Sequence, residues 1–132
     1  MATITASLTL TSPDLTSDSL NLSTSATFTK AGTSTGLTST TGLARKTTTA
    51  NSQYILFDGD AYGNGSHKVY IKNTSSTAAE YVTIEINSEQ MGKLYAGDWC
   101  LFPWEANADT NDIKLQPSVS TTFTVEYALF YE

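Results

Sequence analysis

The sequence predicts an all-β protein: one antiparallel β-sandwich over residues 1–132, built from eight or nine short strands. Three observations predict it. Apolar and polar residues alternate with a period of two in five separate runs. Ser and Thr supply 38 of the 132 residues, and Thr, being β-branched, suits the solvent face of a pleated sheet. Turn-forming residues separate the alternating runs, and regularly spaced short strands of this kind suit a sandwich or a barrel. Charged residues reach only 15% while aromatics reach 11%, which is the reverse of an acidic disordered chain. One core is all that this length supports.

In chain order, Ile4, Ala6, Leu8 and Leu10 alternate with Thr and Ser and form the first strand. Ser12-Pro13-Asp14 ends it with turn chemistry. Leu20, Leu22, Ala26 and Phe28 mark the second. Residues 32–50 are low in complexity, repeat Thr-Gly-Leu at 35–37 and 41–43, and read either as a flexible loop or as an arm that orders on a neighbouring subunit. Tyr54–Phe57 is a continuous apolar run, expected as a central strand buried on both faces. A Gly/Asn/Asp-rich connection from Asp58 to His67 leads to Val69 and Ile71, and this pair of strands reads as a hairpin with a long loop. Val82, Ile84 and Ile86 alternate again, and residues 88–93 are expected to hold one short helical turn. Trp99–Phe102, closed by Pro103-Trp104, is the densest apolar cluster. Ile113 and Leu115 mark a short strand. Phe123, Val125, Tyr127, Leu129 and Tyr131 give the clearest alternation of all.

The formal charge is −6. Residues 1–50 carry +1 and the remainder −7, and Arg45-Lys46 is the only basic pair. A chain that neutralises phosphates needs clustered Lys and Arg, so neither nucleic acid nor an anionic membrane is an expected partner. Cys100 is alone, so no internal disulfide forms. The N-terminus lacks the basic and apolar regions of a signal peptide.

No residue set argues for an enzyme. His67 lies in a Gly-Asn-Gly-Ser loop and is expected to be solvated. Cys100, between Trp99 and Leu101, is expected to pack rather than react. Asp58, Asp60 and Gly63 match part of a calcium loop, but Tyr62 and Val69 occupy two of the ligand positions. The 58–67 and 107–112 loops are therefore read as polar turns, and no cofactor or metal is expected. Trp99 and Trp104, with Tyr62, Tyr70 and Tyr95, have the composition of a carbohydrate platform, although core or interface packing is the more ordinary role of such aromatics.

From Lys68 onward, KVYIKNTSST, YVTIEIN, GKLYAGDWCLFPW and the terminal TVEYALFYE resemble small virion structural proteins of tailed bacteriophages, of the cyanophage and marine-phage type. The resemblance covers about half the chain. It implies a β-sandwich of jelly-roll type, a capsid decoration or cement role, and a virion location after assembly in the host cytoplasm. The implied partners are the major capsid protein or other virion proteins, and further copies of the chain as a trimer or dimer. Tail, neck or baseplate proteins share the style, as would a carbohydrate-binding sandwich of a receptor-binding tail protein. The residues expected at contacts are Ile4 and Leu8 in the first strand, Arg45 and Lys46 in the 32–50 segment, and Tyr95, Trp99, Phe102 and Trp104. The last group belongs to a stretch, Leu94–Trp104, whose aromatic content exceeds what one small sandwich is expected to bury.

Overall fold

The computed structural model describes residues 3–107, 109–118 and 122–132. The chain forms two compact units, Met1–Thr38 and Ser39–Glu132, where the sequence suggests one sandwich over 1–132.

The first unit is a hairpin of β1 (Thr5–Ser12) and β2 (Leu20–Thr27). The two strands pair without a register shift, with Ala6 opposite Ala26, Leu8 opposite Thr24 and Leu10 opposite Leu22. Directly opposed residues share a face, so the alternation gives one face of Ala and Leu, joined by Thr24 and Ser12, and one wholly of Thr, Ser and Asn. The connecting turn uses the Ser12 hydroxyl, which accepts from Leu15 N at 3.1 Å and donates to Asp14 Oδ1 at 3.3 Å. Past β2, Leu37 N donates to Phe28 O at 3.0 Å and Thr29 bridges Gly36. Phe28 and Leu37 are buried.

The second unit holds nine strands among its described residues: β3 (Ser39–Thr40), β4 (Ala44–Thr47), β5 (Tyr54–Phe57), β6 (His67–Asn73), β7 (Tyr81–Ile86), β8 (Glu89–Tyr95), β9 (Trp99–Trp104), β10 (Ile113–Pro117) and β11 (Thr124–Tyr131). One sheet runs β5-β10-β7-β8. The other runs β3-β11-β6-β9, with β4 also on β11. Reading β4 in the place it shares with β3, the orders 4-11-6-9 and 5-10-7-8 are those of an eight-stranded jelly roll, two Greek keys folded over each other. All pairings are antiparallel. The core is the space between the sheets. Val69, Ile71, Phe102, Trp104, Val125 and Leu129 come from one side, and Phe57, Val82, Ile84, Leu94, Ile113 and Leu115 from the other. One buried polar side chain ties the turns to the core. Asn73, fully buried, donates through Nδ2 to Glu80 O and Leu94 O at 3.1 Å each, and accepts from Ser75 N at 2.9 Å.

Several expectations are corrected. The described strands number eleven, not eight or nine. The 32–50 segment is not wholly loop or arm: β3 and β4 lie in it and pair with β11 at Phe130–Tyr131 and Thr124–Tyr127. Ser/Thr-rich strands carry no apolar alternation, so the period-two signal misses them. Tyr54–Phe57 is not a central strand. Among the described residues it pairs only with β10, at a sheet edge, and Ile55 is 48% exposed. Nor do β5 and β6 make a hairpin, because they lie in different sheets. The helical turn expected at 88–93 is instead strand β8. Asn87 and Ser88 both have positive φ, 54° and 60°, the geometry of a two-residue type I′ hairpin turn.

Candidate functional site

Strand β9 is the outer strand of its sheet and, among the described residues, bonds only to β6. Pro103 fits there because a proline has no N–H to give to a second neighbour. The strand's alternation divides its aromatic cluster. Phe102 and Trp104 point inward and are buried, and Cys100 on the same side is half-buried. Trp99 and Leu101 point outward, at 52% and 38% exposure, and Tyr95 at the end of β8 is 45% exposed. The expected contact group is therefore split. Phe102 and Trp104 belong to the core of the sandwich and present no surface, so the aromatic surplus of Leu94–Trp104 is smaller than composition suggests.

Register across the sheet shows what surrounds Trp99. It lies opposite Lys72, which lies opposite Glu126, which lies opposite Arg45. In the next row Leu101 faces Tyr70 and Tyr70 faces Ala128. Glu126 is the hub of this outer face. Its Oε2 accepts from Arg45 Nε and Nη2 at 3.2 and 3.1 Å, and its Oε1 accepts from Tyr70 OH at 3.2 Å. Desolvation, and then the bond to Glu126, push the Tyr70 phenol above its ordinary value, so it stays a donor. Arg45 is thus anchored on β4 rather than swinging on an arm. Lys46, its neighbour, faces the other way and sits over the Tyr54 ring at 4.3 Å. Ile4 and Leu8 are half-buried in the hairpin unit.

His67 is the second correction at residue level. It is the first residue of β6, and it is buried rather than solvated. Its ring packs among Tyr62, Trp104 and Tyr131 at centroid distances of 6.4, 5.9 and 6.4 Å. Nε2 lies 2.7 Å from Gly63 O, and a carbonyl only accepts, so Nε2 carries the proton. Nδ1 and Tyr54 OH are buried without a hydrogen-bond partner among the described residues. Sequence alone could not show this, because two of the three enclosing rings, Trp104 and Tyr131, come from positions distant along the chain. Trp104 is fixed in the same cluster by its Nε1 donating to Asn111 O at 2.8 Å.

The oxygen-rich loops are engaged internally. Asp58 Oδ1 accepts from Asp60 N at 3.0 Å, and Asp112 Oδ1 accepts from Gly59 N at 2.7 Å. No group of three or more metal-ligating side chains is found among the described residues; residue 108 lies outside them. The Cys100 thiol is pushed up to about 11 by burial, against a smaller opposite effect of a backbone bond at Ile71. It is therefore protonated near neutral pH and a poor nucleophile.

What the fold and this surface define is a jelly-roll sandwich with large apolar side chains held outward on an edge strand. No protein-family model and no curated protein matches the chain. Among solved structures it is similar to a de novo designed double-stranded β-helix determined by solution NMR, at 14% identity and a TM-score of 0.40, over 70% of this chain and all of the designed one. The fold class rests on the strand order given above.

Proposed function

We propose that this chain is a structural protein of a tailed-phage virion, a capsid decoration or cement protein that binds the major capsid shell and its own copies. In this reading it is not an enzyme; its work is mechanical. The observation that supports it best is the outward placement of Trp99 and Leu101 on β9, side by side on one sheet face, Trp99 in a row with Lys72, Glu126 and Arg45 and Leu101 in a row with Tyr70 and Ala128. Large exposed apolar groups mark contact sites, and Trp is the residue most enriched at the energetic centres of interfaces. The resemblance of the Lys68–Glu132 segment to small phage structural proteins supplies the biological setting. Many weak contacts per copy add up across a symmetric shell.

Mass spectrometry of purified virions tests the reading. The protein is expected in stoichiometric amounts, and its absence from virions would end the proposal. Binding of the purified protein to capsids lacking it is expected to weaken on Trp99→Ala without loss of fold. A tail, neck or baseplate position would share the fold and differ only in neighbours, which a virion reconstruction separates.

A second reading is favoured by one specific arrangement. Trp99 beside Lys72, with Tyr70, Glu126 and Arg45 across the same face, offers a flat ring and polar groups to a sugar. Trp104 cannot serve there, being buried. Glycan-array binding lost on Trp99→Ala would favour this carbohydrate-binding reading, and silence across the array would remove it.

A further inference from the structure

We propose that the β1–β2 hairpin pairs with the same hairpin of a second copy, edge to edge along β2, in an antiparallel register centred on Ser23. This deepens the part of the reading above in which the chain binds its own copies, but it rests on the hairpin's geometry alone.

A two-stranded ribbon is marginal on its own in water, yet each strand here runs eight residues. Natural proteins protect exposed strand edges with Lys, Pro, inward charges or bulges. Neither strand contains a charged residue or a proline, and the register runs unbroken from Thr5–Thr27 to Ser12–Leu20. These edges are regular in register and undefended, which is what a pairing edge requires and a solvent edge avoids.

The two edges differ. Ala6, Leu8 and Ser12 of β1 are half-buried, whereas all eight residues of β2 are exposed. Strand β2 is the available one. The opening has a definite end, since Leu37 N on Phe28 O and the Thr29–Gly36 bridge occupy the chain beyond Thr27.

The register follows from the alternation. Opposed residues in an antiparallel pair share a face, and a slip of one residue would set leucines against the polar face. Keeping Leu20, Leu22, Thr24 and Ala26 on one face requires the two-fold axis to pass through a residue, not between two. Centring on Ser23 places Leu20 opposite Ala26 and Leu22 opposite Thr24, uses residues 20–26, and stops short of the closed end. The result is a four-stranded sheet with one continuous face of Ala, Leu and Thr.

Charge argues for a second copy as the occupant. The strands are neutral, while residues 51–132 carry −7. A partner attracted by charge would be drawn to the acidic region. Two uncharged β2 edges meet without repulsion, and each supplies what the other lacks. Edge pairing over about 25 Å of strand buries less than the roughly 1,200 Å² of a standard stable complex. The pair is therefore weak between free chains and strengthened wherever copies are held side by side.

The test uses the full chain with Cys100→Ser and one cysteine introduced at a time, by Ser23→Cys, Asn21→Cys or Thr27→Cys. All three lie on the hairpin's polar face. In the proposed pair the Cα atoms at residue 23 lie ~5.5 Å apart, within disulfide reach, against ~14 Å at residue 21 and ~27 Å at residue 27. Under mild oxidation at high protein concentration, Ser23→Cys is expected to form a covalent dimer and the other two to remain at background. Equal cross-linking at all three sites, or none at residue 23, would overturn the proposal. Ser23→Lys in the otherwise native chain is expected to abolish any concentration-dependent rise in sedimentation coefficient; a rise that persists would count against β2 as the edge. Because these measurements use purified chain, they are independent of the virion reading. Protein found in virions with no cross-link at residue 23 removes only the pairing, and the converse removes only the virion role.

Discussion

The hairpin and the jelly roll use the same device, apolar residues alternating with Ser and Thr, and reach opposite outcomes. In the jelly roll the apolar side of each sheet meets the apolar side of another, and Val69, Ile71, Leu115 and Leu129 are fully buried. In the hairpin a second layer is not part of the unit, and Leu10 and Leu22 stay 45% and 44% exposed. Alternation fixes which face a side chain takes. Whether that face becomes a core or a contact surface depends on how many layers the chain itself supplies.

The largest effect expected from this contrast is at Trp104. Trp104→Ala should lower the stability of the jelly roll by about 3–5 kcal/mol, read as a shift in urea midpoint, whereas Leu22→Ala in the hairpin should leave that midpoint nearly unchanged. Comparable losses would mean that the hairpin shares the core after all. Asn73→Ala comes next. It strands the carbonyls of Glu80 and Leu94 and the amide of Ser75, at a cost of about 2–3 kcal/mol, while Asn21→Ala, on the hairpin's polar face, should be silent in the same denaturation.

A pH effect sharpens the contrast further. Burial, with Tyr127 adding to it, pushes the Tyr54 phenol well above its ordinary value of 10.0. The neutral form is the one the fold holds, so the unfolded chain ionises first as pH rises. Stability from this group is complete below pH 10 and is lost progressively above it. Cys100, raised to about 11 from 9.0, acts in the same direction over a window that starts at about 9. Stability is thus expected to start falling at about pH 9 and to keep falling above pH 10, and less steeply above pH 10 in Tyr54→Phe. That variant also removes a hydroxyl with no partner, so at neutral pH it should be neutral or slightly stabilising. A Tyr54→Phe slope identical to that of the native chain would contradict this account. The smallest effect is at Arg45→Ala, about 0–1 kcal/mol, because the guanidinium paired with Glu126 is 69% exposed; it should shrink further in salt.

Sequence reading located most strands to within a residue or two. Leu20–Thr27, Tyr54–Phe57, Tyr81–Ile86 and Thr124–Tyr131 each carry apolar residues on alternate positions or in a run. It failed where the determining information is non-local. β4, Ala44-Arg-Lys-Thr47, has no apolar face and is a strand only because β11 offers it a partner. The Asn87-Ser88 turn lacks the glycine that would have announced it. For the contact residues, the cluster around Trp99 was visible in composition, but the assignment of Trp104 and Phe102 to the inside required the register with β6. His67 escapes a sequence reading for the same reason, since its aromatic enclosure is assembled from two strands, β9 and β11, and a loop.

Strand β11 sits between β6 and the β3–β4 side of its sheet, and its bonds reach far back along the chain: Arg45 and Glu126 are 81 residues apart, and Tyr70 and Glu126 are 56 apart. Pairings of that sequence separation form slowly, because long loops must close before they are rewarded, and folds dominated by them belong to the millisecond-to-second range. Until β11 inserts, the edges of β6 and β4 that it will cover remain open, and Val125 and Leu129 are missing from the core. If the insertion of β11 is the slow step, Leu129→Ala is expected to lower the refolding rate more than it raises the unfolding rate, and a change confined to unfolding would place that insertion after the barrier.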